Sequence, residues 1–101
     1  MNSKGGNMAG LSAQQKGEIR ISVIRKVDAF TDENVEANPT PEPLRLEKDL
    51  GIYPSHRMML SVPFTKVSRA YGGKALGPLD CVELETVKAC IDAVIEKAEA
   101  Q

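Results

Sequence analysis

Ser55 and His56 stand side by side, a hydroxyl nucleophile next to the chain's one imidazole. Adjacent residues on a helix diverge by about 100°, so the ring cannot reach the hydroxyl, and no acid stands nearby to orient it. A hydrolytic pair is therefore excluded, and no catalytic residue is assigned. Cys81 and Cys90 are the only cysteines. Taken as one helix, they point in different directions, so no disulfide is expected between them. Without a Cys-x-x-Cys spacing or a second His there is no zinc pattern, and no metal site is assigned. Gly72-Gly73-Lys74 lacks the spacing and the preceding strand of a phosphate loop and reads as a helix stop. Ser61, beside Pro63, is a poorer acceptor than Ser55. What remains is one accessible serine, a chemical handle rather than a catalytic group.

Charge narrows the use of that handle. The net charge is −1, but the charges are sorted into blocks. Residues 1–27 carry five cations and one acid, and residues 28–49 carry seven acids against Arg45 and Lys48. Residues 51–79 contain no acid, only Arg57, Lys66, Arg69 and Lys74, with His56 beside them. From Asp80 onward acids again lead, six to two. Four cations over that central stretch are too thin a stripe for a strong nucleic-acid surface, although a small basic nucleic-acid-binding helical domain is the third possibility. No run is long and apolar enough for a membrane span, and the first residues lack the apolar stretch of a secretory signal. A cytoplasmic, monomeric protein is the expectation.

The elements that must position Ser55 follow from periodicity. Residues 1–15 lack it and are expected to be a flexible leader, with one domain over 16–101. Ile19, Val23, Val27 and Phe30 recur at helical spacing, with Ile24 widening the stripe. That helix should stop near Thr31 or Asp32, ahead of the prolines at 39, 41 and 43. Leu44 and Leu46 are expected in the core with Arg45 and Glu47 in water, and Asp49-Leu50-Gly51 turns the chain. A second helix should begin with Ser55 as its N-cap and bury Met58, Met59 and Val62. Pro63 predicts a kink or a restart capped by Ser61, with Phe64, Val67 and Tyr71 continuing the apolar side to Gly72-Gly73. Asp80 and Glu83 suit the cap of a short turn. Leu84, Val87, Ile91, Val94, Ile95 and Ala98 form the clearest helix, capped by Thr86. Aromatic residues are few and there is no tryptophan, so the core must be aliphatic. The fold class is all-α, a three-to-four-helix bundle with a long proline-rich first loop.

In this order the segments resemble the acyl carrier proteins and related phosphopantetheine carriers. A helix, a Val35-containing turn, a proline-and-glutamate loop and Leu46-Glu47-Lys48-Asp49-Leu50-Gly51 look like the family's first helix, first loop and the turn before its modified serine. Leu84-Glu85-Thr86-Val87 with Ile91 and Val94 looks like the start of its last helix. The resemblance spans about residues 19–98 and implies 4′-phosphopantetheine on Ser55, holding an acyl group as a thioester. Asp49, Leu50 and Gly51 would shape the turn. The implied partners are a phosphopantetheinyl transferase and acyl-transferring enzymes of fatty-acid, polyketide or related lipid metabolism. Family members generally present an acidic second helix. Arg57, Lys66 and Arg69 reverse that sign and call for a partner with an acidic surface. Ser55 lies four residues past Gly51 where the family usually has three, and an ungapped register puts Pro54 on the attachment position. That register gives the alternative, a carrier-like interaction module with no prosthetic group.

Overall fold

The computed structural model describes residues 10–100, and within them the chain is all-α. Its helices are α1 (Ala13–Asp28), α2 (Pro54–Met59), α3 (Ser61–Ala70), α4 (Pro78–Val82) and α5 (Val87–Glu99). No strand forms among the described residues, only one isolated antiparallel bridge between Arg45 and Thr86. None of the helices is long and apolar enough to cross a membrane.

α1 starts earlier than its apolar stripe. The Ser12 hydroxyl accepts from the Gln15 N–H at 3.1 Å, and the Gln15 side chain accepts from the Ser12 N–H at 2.9 Å. This reciprocal cap draws residues 12–15, assigned above to the leader, into the domain. Leu11 packs against the core and its N–H donates to Glu99. Residues 1–9 of the expected leader lie outside the described residues. The inward face of α1 is Ile19, Val23, Ile24 and Val27, as its period predicts.

The long connector is fastened at both ends. Asp28 accepts from the N–H groups of Val35 and Glu36, which hold its carboxyl below the usual range, and Val35 enters the core. Arg20 pairs with Glu42. The chain then docks beside the start of α5: Leu46 N–H donates to Glu85 O, Val87 N–H to Leu44 O and Lys88 N–H to Glu42 O, at 2.9–3.0 Å. Leu46 is fully buried and Leu44 half-buried, while Arg45 and Glu47 face water, as expected.

α2 and α3 form one helical run broken at Leu60. Pro63 has no N–H to give the carbonyl of Met59, so the ladder lapses there. Leu60 keeps a right-handed helical conformation (φ −64°, ψ −16°), and the ladder resumes with Phe64 N–H to Leu60 O at 3.0 Å. Leu60, and not Ser61, is the N-cap of α3, and Ser61 is its buried first residue. The restart exists because proline is tolerated within a helix's first turn.

After α3 the chain turns at Gly72, whose φ of +80° suits glycine. It then passes close over α5. A Cβ on Gly73 would collide with the backbone of Lys97 and Ala98. Gly73 N–H donates to Ser68 O, the buried Ser68 hydroxyl to Lys74 O, and Lys74 N–H to Lys97 O. Thr65 both donates to Leu76 O and accepts from Leu76 N–H. Asp80 accepts from Gly77 N–H at 2.7 Å to start α4, and Thr86 from Ala89 N–H at 3.0 Å to start α5. Leu84 stays outside α5, half-buried.

Candidate functional site

The turn ahead of Ser55 is built from its own backbone. Arg45 N–H donates to the Asp49 carboxylate at 2.7 Å, and the Arg45 guanidinium lies against the same group. Both contacts hold Asp49 below the usual carboxylate range. Leu50, Gly51 and Ile52 N–H groups return to Arg45, Glu47 and Leu46 carbonyls. Gly51, at φ +68°, makes the reversal, a conformation that a side chain would resist. Leu50 and Ile52 are buried on either side of it. The reversal ahead of α2 runs through Asp49, Leu50 and Gly51.

The cap of α2 lies two residues earlier than the sequence suggests. Tyr53 is the N-cap and Pro54 the first helical residue, so Ser55 is not the cap: it sits inside the first turn. The proline ring fixes the helical φ and has no N–H to satisfy. Tyr53 supplies no capping side chain. Ser55 is exposed. His56 turns away from it and packs edge-on against Phe30, ring centres 6.5 Å apart at 88°. The two side chains form no nucleophile–base pair. An open cleft of about 580 Å³ adjoins the turn, lined by Phe30, Thr31, Asp32, Glu47, Asp49 and His56 among others. Its four carboxylates, Asp32, Glu33, Glu47 and Asp49, outnumber the one lysine, Lys48, and make it a poor site for an anion.

Met58, Met59 and Val62 are exposed and not inward, at 37%, 58% and 64%. The inward positions of α2–α3 are Arg57, Leu60, Phe64 and Val67, at helical spacing, with Ser61 and Ser68 beside them. Arg57 occupies the slot an apolar residue would fill. Its side chain is only 11% exposed. Its guanidinium donates to Val82 O at the end of α4 (3.1 Å), to Ile52 O (3.0 Å) and to Glu47 (3.4 Å). Arg57 thus latches α2 to α4 and to the turn, and is withdrawn from the surface where a partner would meet it. Lys66 and Arg69 stay exposed on α3, with no ion pair among the described residues. Periodicity held the clue to the latch: Arg57 is three residues before Leu60 and seven before Phe64.

The cysteines correct a further expectation. Cys81 lies on α4 and Cys90 on α5, so the same-helix phase does not relate them. Both are free and buried. Burial pushes the thiols up to about 11 at Cys81 and about 12 at Cys90, which makes them poor nucleophiles. Among the described residues no cluster of His, Cys, Asp and Glu is placed to hold a metal ion. No family model, curated protein or solved structure matches this chain.

Proposed function

We propose that the protein is an atypical acyl carrier, with Ser55 as the attachment point of 4′-phosphopantetheine. The single observation that carries this is the placement of Ser55: an exposed serine in the first turn of α2, directly after the Gly51 reversal, in an all-α bundle. The uncapped start of α2 suits the phosphodiester, since its first N–H groups have no side-chain acceptor. Ser55 and Met59, four residues apart, share the solvent face, so an arm on Ser55 leaves the bundle outward.

A transferase would join the Ser55 oxygen to the phosphopantetheine phosphorus of coenzyme A, break the phosphoanhydride bond, release adenosine 3′,5′-bisphosphate and accept the hydroxyl proton. Once attached, the arm supplies a thiol that holds an acyl group as a thioester. The chain's own residues only present the hydroxyl: Pro54 and Gly51 fix where α2 begins, and Arg57 holds that helix in place. Acyl chemistry belongs to partner enzymes of acyl metabolism.

Incubation of the intact chain with coenzyme A and a broad-specificity phosphopantetheinyl transferase should add one arm by mass, and Ser55→Ala should abolish the addition. No mass increase, or an increase that survives Ser55→Ala, ends this proposal. The second possibility, an interaction module without an arm, is favoured by Pro54, which leaves no hydroxyl at the first helical position. The solvent exposure of Met59 and Val62 favours it as well.

A further inference from the structure

The outer side of α2 and α3 is a single seam. Leu60 stays helical between them, so helical phase carries through the break, as the inward series Arg57, Leu60, Phe64, Val67 demonstrates. Opposite that series stand Ser55, Met59, Val62, Lys66 and Arg69, and all five are exposed. Their alternating steps of four and three are the spacing by which one helix packs against another. Among the described residues neither Lys66 nor Arg69 forms an ion pair, and Lys66 lines a shallow cleft with Ser22, Lys26 and Tyr71 that brings a further cation from α1 and no acid. Two of its middle members are large and apolar, Met59 at 58% and Val62 at 64% exposure. The pair that follows, Lys66 and Arg69, is cationic, and residues 51–79 contain no acid to neutralise it.

We propose that this seam docks an acidic amphipathic helix of a partner protein, with apolar residues against Met59 and Val62 and carboxylates against Lys66 and Arg69. Charge complementarity selects that occupant. A second copy docking seam to seam brings no acid to answer either set of cations. The surface is a narrow helical stripe with its apolar and charged residues in line, which matches a helix better than a membrane plane. The docking surface does not need the arm. It rests on the proposed function only in taking the chain as a protein that acts by being bound, and it places Ser55 at one end of the bound helix.

The test uses the full, unmodified chain and a fluorescent helical peptide of about three heptads, Leu at the a and d positions and Glu at e and g, with a Lys-for-Glu version as control. The acidic peptide should bind, the basic one should not, and binding should weaken with salt. Met59→Glu with Val62→Glu should lower affinity by about tenfold or more with unchanged circular dichroism. Lys66→Glu with Arg69→Glu should transfer preference to the basic peptide. Equal binding of both peptides, no binding at millimolar protein, or affinity indifferent to the four substitutions overturns the proposal. So does binding to phosphatidylglycerol vesicles instead of the peptide, or self-association that Met59→Glu abolishes. Peptide binding without a transferase-dependent mass increase would leave the seam standing and remove the carrier role; the reverse pair of results would do the opposite.

Discussion

α5 and α2 are held in opposite ways. α5 buries Val87, Cys90, Ile91, Val94 and Ala98 along one face and is capped by Thr86. α2 buries no residue, has no side-chain cap, and is pinned by the donor bonds of Arg57. In α5 the hydrophobic effect chooses the face, so the apolar period and the buried period coincide. In α2 a guanidinium takes the inward slot, and the apolar residues are displaced to water. The lesson is that apolar spacing names the buried face only where no hydrogen-bonded polar side chain competes for it.

The largest test of this contrast is at Phe64, the inward residue just past the break, which is fully buried. Phe64→Ala should cost about 3–4 kcal/mol in urea unfolding. Met59, though large and apolar, should show nothing similar. A small loss at Phe64 would mean that α3 shares the loose attachment of α2.

Arg57→Met keeps an unbranched stem of about the reach of Nε and removes the guanidinium with its donors. The carbonyls of Val82 and Ile52 then lose a charged partner, at a cost of about 2 kcal/mol. Amide exchange should reveal where the loss falls. Protection should drop in α2 and at the end of α4, while α5 keeps its protection. A uniform drop would show that α2 is not separately latched. Thr86→Ala, which removes the α5 cap, should cost about 1 kcal/mol by thermal unfolding. There the effect should appear in α5 alone.

Buried thiols give the same contrast a pH signature. Cys90, on α5, has its value raised from 9.0 to about 12, chiefly by burial. A thiol raised by folding contributes stability that is complete below about pH 9 and is lost as pH climbs toward the folded value. The alkaline fall in stability should therefore be shallower in Cys90→Ala than in the parent chain. Equal slopes would mean that the thiol ionises as freely in the native protein as in the unfolded one.

Much of the bundle was legible in the sequence because its evidence is local. The stripe Ile19, Val23, Val27 and the stripe Val87, Ile91, Val94 lie within single helices. Thr86, Asp80 and Gly51 act within a few residues of themselves. What escaped depends on distant partners. Arg57 reaches Val82, 25 residues on, and only that bond makes its inward position tolerable. Gly73 is needed because α5 lies beneath it. Residues 83–86 carry no glycine or proline, so the Thr86 cap is the one local signal that separates Cys81 on α4 from Cys90 on α5. At the candidate site the Asp49-Leu50-Gly51 turn and the exposure of Ser55 were readable. Pro54, a residue that favours the first helical position, takes precedence over serine's preference for the cap and moves the cap to Tyr53.

The smallest effect is the sharpest test of what the outer face of α2–α3 is for. Met59→Gln and Val62→Thr remove exposed apolar surface without touching the inward series Leu60, Phe64, Val67. Each should change unfolding free energy by less than about 0.5 kcal/mol. If the pair instead destabilises by more than about 1 kcal/mol, these side chains are packing within the fold, and the seam is not free to meet a partner. Near-neutral stability together with lost peptide binding would assign the two residues to recognition. Protein architecture would then be carried by the opposite face of the same run, where a single arginine substitutes for the apolar residue that a helix of this kind would normally bury.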